Sequence, residues 1–405
     1  MPSITQNKQG LTVIVTGSIM MLFLGILYIW SVFVNPTWGS GVSEVYAWHI
    51  DSVKLTSSFM LCFFVLGILA GGKLHLKIGS DKVVLCGGLL LAAGMLVTGF
   101  LPSELAWLMY VTYGIIGGFG VGAAYNDIIC AAQKWFPQKR GFATGIVVCA
   151  FGFSTVVFAP LIETLVNQFE LRNTFLILAA TYFTATLVLF RFIRLPDENT
   201  PAASPSAALL AKRQYTVTET IKTKEFYFIT LSLMAATATF FILMPSFITM
   251  AGERGVPAFG TVIVMMTGVA NACGRLVVPI LSDKIGREKA ALTVIFVTSV
   301  CALFLFFAQG FMFILTVLFV AFCFGSLPGL YSVLTSDYFG IKNVGANYGA
   351  VMMGFALSAL TFPMIIGLIQ INAMKFIALS AMAAVGVVLI FLLITSKKKF
   401  EAVNV

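Results

Sequence analysis

The sequence holds 405 residues, of which 59% are hydrophobic and only 10% charged, with a formal net charge of +9. A soluble domain of this size carries about a quarter charged residues. The composition therefore excludes an ordinary water-soluble enzyme or nucleic-acid-binding domain and places the chain in lipid. The polar start MPSITQNKQG runs directly into a segment of membrane length and shows no cleavable signal. Apolar windows long enough to span a bilayer follow in order near 11–34, 52–72, 83–101, 105–132, 143–167, 173–193, 226–250, 258–281, 290–308, 311–335, 344–370 and 373–395. Between the sixth and seventh lies RLPDENTPAASPSAALLAKRQYTVTETIKTKE, rich in Pro, Ser, Ala and charge, which reads as a linker. The pattern predicts an all-α membrane protein of twelve transmembrane helices in two six-helix bundles, residues 1–194 and 226–405, joined by a cytoplasmic linker over 195–225.

Basic residues orient the chain. Of its 25 lysines and arginines, Lys54, Arg172, Arg254 and Lys375 fall in loops on one side and Arg275 falls inside a span. The rest sit in the two ends and in the loops after even-numbered spans. The positive-inside rule therefore predicts that both termini are cytoplasmic. The excess of positive charge sets membrane orientation, and no nucleic-acid partner is needed to explain it. The tail SKKKF (396–400) reads as a basic flank beside the lipid surface.

The cysteines (Cys62, Cys86, Cys130, Cys149, Cys273, Cys301, Cys323) lie inside apolar segments at no metal-ligand spacing, so they read as small core residues without a disulfide framework or zinc site. No GxxxxGK phosphate loop is present, which excludes use of ATP by that route, and no cofactor is implied.

The two halves echo each other. WFPQKRGFATG (135–145) is matched by YFGIKNVGANYG (338–349), and GGKLHLKIGSDK (71–82) by VPILSDKIGREK (278–289). Repeats of this kind describe a transporter with its binding site where the repeats meet.

These residues resemble the major facilitator superfamily. LSDKIGR (281–287) is similar to its loop signature D-[RK]-x-G-[RK], and the earlier copy departs from it with Leu76 in place of the aspartate. KWFPQKRGFATG (134–145), YIWSVFVNP (28–36) and ANYGAVMMG (346–354) resemble the oxalate/formate antiporter group more specifically, a relative of the monocarboxylate transporters. The resemblance implies alternating access by two bundles in the cell membrane. It also implies that an arginine on the eighth span binds the substrate carboxylate. Arg275 holds that place, with Asn271 one turn earlier on the same face.

A charge at the centre of a spanning helix costs roughly 2.5–3.5 kcal/mol. A guanidinium offers a planar fork of donors matched to a carboxylate and stays charged at cellular pH. In this reading an empty cavity leaves Arg275 facing water and an arriving anion neutralises it. The competing reading is a structural ion pair, for which only Asp127 and Glu163 lie within the apolar windows. Tyr28, Tyr125 and Tyr331 fall where related transporters place cavity-lining aromatics; each offers a ring wall and one hydroxyl, unless it simply packs. Phe151 and Phe355 are candidates to close the pocket.

Dicarboxylate-binding members of the oxalate group resemble a two-cation design with a lysine on span eleven. Here NVGANYGAVMMGFALSALTFPMIIGLIQ (343–370) holds no lysine or arginine, and the stretch near Ser358 is uncharged. One fixed cation balances one carboxylate, which points to formate, lactate, pyruvate or a similar monocarboxylate. Asp127 is the candidate proton carrier, or else a gate residue pairing with Lys134, Arg140 or a loop lysine. His49 and His75 read as solvated. Proton symport and anion exchange stay open. So do a dicarboxylate exchanger and, from a different class, a non-transporting membrane sensor. Outside Arg275 no charged cluster at the midplane could carry chemistry, so an enzyme is not expected.

Overall fold

The computed structural model describes residues 4–34, 40–196, 213–244, 247–367 and 372–403. Asn35, Pro36, most of the predicted linker (197–212) and the end of the eleventh window (368–370) lie outside the described residues. In hydrocarbon a backbone must satisfy its own polar groups, which a helix does within one segment. The described chain is accordingly helical, with eleven long elements: α1 (Ile4–Leu24), α2 (Ile50–Ile78), α3 (Ser80–Phe100), α4 (Gly118–Trp135), α5 (Arg140–Leu189), α6 (Lys224–Leu243), α7 (Gly260–Ile285), α8 (Arg287–Phe304), α9 (Gly310–Phe339), α10 (Val344–Gly367) and α11 (Asn372–Val403).

Each predicted window overlaps one of these helices. The fifth and sixth share α5, a 50-residue stretch broken at Glu170, whose φ of 66° and ψ of 164° are not helical. Among the described residues, ten helical segments are long and apolar enough to cross a membrane. The ninth window forms α8, whose first turn holds Arg287, Glu288 and Lys289. Large apolar side chains point outward along the helices and in the turns between them: Phe100, Met265, Phe307 and Phe311 are each at least 66% exposed. In water that surface would be a liability; facing acyl chains it is the favoured exterior.

The chain forms two compact units, Met1–Phe136 with Phe153–Ser204, and Pro137–Gly152 with Pro205–Val405. The start of α5 thus groups with the second unit. Within the first unit α4 packs against α1, α2 and α3. An aromatic cluster fills its core, with Phe33 stacked on Phe175 at 4.8 Å and Trp30 4.7 Å from Tyr113. Within the second, α7 packs on α9, and α6 on α10 and α11.

The sequence echo between the halves reappears in the backbone. Gly79 joins α2 to α3 at φ 89°, ψ 153°, and Gly286 joins α7 to α8 at φ 95°, ψ 146°. Residues with a β-carbon rarely adopt this region. Beside Gly286, the Asp283 carboxylate accepts the backbone N–H groups of Gly141 (3.1 Å) and Phe142 (2.9 Å). These are donors at the start of α5 that have no partner within the helix, where the helix dipole also favours an anion. Arg287 pairs with Asp283 and donates to Ser282 Oγ at 2.7 Å. Asp337, at the end of α9, takes Arg140 and lies 3.4 Å from Arg287 Nε. The loop signature is therefore a clamp of alternating charges around the first turn of α5.

An added β-carbon at Gly286 meets no atom within 4 Å. Gly286→Ala is expected to lower stability by about 1–3 kcal/mol through backbone torsion alone. The purified protein's thermal midpoint in detergent measures this, and an unchanged midpoint would refute it.

Candidate functional site

Arg275 lies in the middle of α7 and is 1% exposed. Its Nε donates to Asn271 Oδ1 at 2.7 Å, as the one-turn spacing requires. The Phe151 ring of α5 lies with its centroid 5.5 Å from the guanidinium carbon, within the range in which a ring quadrupole attracts a cation. Next to Phe151, a β-carbon on Gly152 would stand 3.0 Å from Arg275 Cδ and 3.2 Å from Nε. The helix comes this close because residue 152 has no side chain. An arginine facing water was the expectation for an empty site, and the structure corrects it. Amide oxygen, aromatic face and α5 backbone enclose the guanidinium and replace part of its hydration.

The other candidates of the second unit are buried but differently engaged. Tyr331 on α9 is fully buried, and its hydroxyl shares a 2.8 Å hydrogen bond with Ser232 Oγ of α6. Ser232 also donates to the Ile229 carbonyl at 2.8 Å, so in that arrangement the tyrosine is the donor of the shared bond. Phe355 on α10 belongs to an aromatic cluster, 5.0 Å from Phe241 and 5.8 Å from Phe324. Ser358 is fully buried, and its hydroxyl has no hydrogen-bond partner among the described residues. A buried hydroxyl in that state is unfavourable by about 1–3 kcal/mol.

Tyr28 and Tyr125 belong to the first unit. Tyr28 ends the 3-10 turn Gly25–Tyr28 and is half-buried. Tyr125 is buried and meets Phe64 edge-on at 5.2 Å. Asp127, also fully buried, accepts a 2.9 Å hydrogen bond from Ser80 Oγ, and His75 Nδ1 is 3.5 Å from the same carboxylate oxygen.

His75, read as solvated, is only 2% exposed, whereas His49 is exposed. His75 sits in the last turn of α2, where the chain re-enters the packed end of α4; hydropathy gives no sign of this. Arg140 is engaged by Asp337 and Ser336. The cysteines also divide: Cys130, Cys149 and Cys323 are buried as expected, but Cys86 and Cys273 are exposed. Their small thiols are tolerated on an apolar exterior as readily as in a core. Sequence reasoning passed over Gly152, Ser232 and Ser80, and placed His75 in solvent. Of these only Gly152 carried a signal, as the small residue beside a candidate contact.

The family model of the Major Facilitator Superfamily matches residues 11–363. The chain belongs to that superfamily. It is a membrane protein of a transporter family, not an enzyme family. Among its relatives, an uncharacterized MFS-type transporter, YhjX, of Escherichia coli K12 is 26% identical over 366 residues, covering 89% of this chain and 88% of the relative. The oxalate:formate antiporter of Oxalobacter formigenes is 24% identical over 336 residues, 82% and 78% of the two chains. Monocarboxylate transporter 13 of Rattus norvegicus is 30% identical over 141 residues, 34% and 32%. Among solved structures, the E. coli fucose:proton symporter FucP aligns with a TM-score of 0.68 at 14% identity, over 93% and 96% of the chains. The proton:xylose symporter XylE aligns at 0.65 and 17% identity, over 95% and 96%. Both structural likenesses support the fold.

Asn271→Ala removes the acceptor of a hydrogen bond from a buried cation, an interaction of about 1.5–3 kcal/mol. Its expected effect is a loss of stability of that size in the superfamily protein, read as a lower thermal midpoint; a variant as stable as the parent would show that Asn271 does not hold the guanidinium.

Proposed function

We propose that the protein is a secondary active transporter of small monocarboxylates, such as formate, lactate or pyruvate, working by alternating access as a proton symporter or anion exchanger. In this reading the chain has twelve spans in two six-helix halves, with both termini cytoplasmic. The observation that carries it is Arg275, a buried guanidinium gripped through Nε by Asn271 and covered by Phe151. With Nε fixed in this way, the edge of the guanidinium formed by its terminal nitrogens is the one whose two parallel N–H donors match a carboxylate. Tyr331 and the Ser358 hydroxyl are proposed to complete the anion's surroundings, with Phe355 forming part of the apolar wall. Asp127 is the proposed proton carrier.

Charge selects the substrate class. Residues 343–370 contain no lysine or arginine, so a second carboxylate would lack a fixed cation there and would be desolvated at a cost of several kcal/mol. A dicarboxylate exchanger is the second reading, and similarity to the oxalate:formate antiporter favours it.

Counterflow of radiolabelled formate, lactate and oxalate in proteoliposomes tests both readings. Monocarboxylate uptake with little oxalate uptake is expected, and Arg275→Lys is expected to reduce it at least ~10-fold because an ammonium cannot reproduce the planar fork. Oxalate uptake without lactate uptake would replace the first reading with the second. Imposing a pH gradient separates symport from exchange.

A further inference from the structure

Three ionisable side chains and one hydroxyl meet at the end of the first unit where α2 turns into α3. His75 and Ser80 are 2% and 1% exposed, on either side of Gly79, and Asp127 of α4 is 0% exposed. Lys134, two turns along α4, places Nζ 3.5 Å from His75 Nε2. On its other edge, His75 Nδ1 is 3.5 Å from Asp127 Oδ1, which Ser80 Oγ also reaches at 2.9 Å. Asp127 Oδ2 is buried and has no hydrogen-bond partner among the described residues.

The order carboxylate, imidazole, ammonium fixes the tautomer. An ammonium has only donors, so His75 Nε2 must accept from Lys134 and the imidazole proton sits on Nδ1, towards Asp127. In that state the charges of Asp127 and Lys134 cancel across a neutral ring. One acceptor remains open: a proton arriving at Oδ2 breaks no existing hydrogen bond, and it leaves the Ser80 hydrogen bond on Oδ1 with His75 Nδ1 beside it at ion-pair distance. Lys134 and the Ser80 hydrogen bond act on Asp127 directly, and the Cys130 thiol lies next to it along α4. On α2 and α3, which also pack against α4, the nearby Lys73, Lys77 and Lys82 are exposed and Asp81 is half-buried. From α1, the one charged residue is Lys8, which is exposed at its far end.

We infer that Asp127, His75 and Lys134 form a binding site for a single proton, taken up on Asp127 Oδ2 and released to water by the reverse step. Loading raises the net charge of the cluster from zero to +1 and uncouples Lys134 from its counter-charge. Unloading restores the pair. A lone buried carboxylate would have neither the relay to Lys134 nor a charge-neutral deprotonated state. The role of this site in transport rests on the transporter reading above; the proton site itself does not.

Isotope-edited infrared spectroscopy of the full-length protein in lipid tests the site without any substrate. A pH-dependent carbonyl band of a protonated carboxylic acid is expected in the parent, absent in Asp127→Asn. In His75→Gln and Lys134→Met the band's midpoint is expected to move by about one pH unit or more. Ser80→Ala keeps every charge and removes only the donor to Oδ1, so it must move the midpoint too, even if a charge variant fails to fold. A band that persists in Asp127→Asn overturns the proposal, as does one that no other variant moves. If the parent carries lactate, Asp127→Asn also flattens the pH profile of uptake. If the parent carries no monocarboxylate while the band behaves as stated, the substrate assignment fails and the proton site stands.

Discussion

A guanidinium in the middle of a membrane helix is the constraint around which the second unit is arranged. Arg275 cannot shed its charge, and hydrocarbon cannot solvate it. The surrounding sequence answers with an amide one turn away, an aromatic face on the neighbouring helix and a glycine beside that ring. Each replaces some of the water the ion would otherwise hold. None of the three carries a charge. Neutral groups of this kind replace hydration while leaving the formal charge of the guanidinium in place.

The two units treat buried polarity differently. In the second, charges gather around the first turn of α5, where Asp283 caps exposed backbone donors and Asp337 links Arg140 to Arg287. In the first, the related turn has Leu76 where that clamp has its aspartate; its ionisable groups are sunk between helices as the Asp127–His75–Lys134 array. Two stretches with a common pattern thus support unlike electrostatics.

Much of the architecture was legible because membrane insertion leaves a strong mark. Each apolar window of span length overlaps a helix, and the spacing of Asn271 and Arg275 announced their contact. Periodicity could not show that two windows would run together as α5 with a break at Glu170, since that depends on one residue's torsions. It also misplaced His75, which hydropathy assigns to a loop but which tertiary packing buries. The enclosure of Arg275 was equally hidden, because it depends on how closely α5 approaches, and a lone glycine in an apolar run has many explanations. Of the proposed contacts, Tyr331 was recognisable as a buried aromatic, but its bond to Ser232 joins residues 99 positions apart. No local pattern reports that.

The matched glycines at 79 and 286 separate two kinds of inheritance within one short turn. Its shape is held by the absence of a side chain, and its charge by an aspartate three places earlier, kept as Asp283 and replaced by Leu76. Shape and charge are therefore separable in this turn: the glycine keeps the corner, while Leu76 and Ser80 stand where the other copy has Asp283 and Arg287. Two corners of one shape can thus sit in quite different electrical surroundings within a single chain.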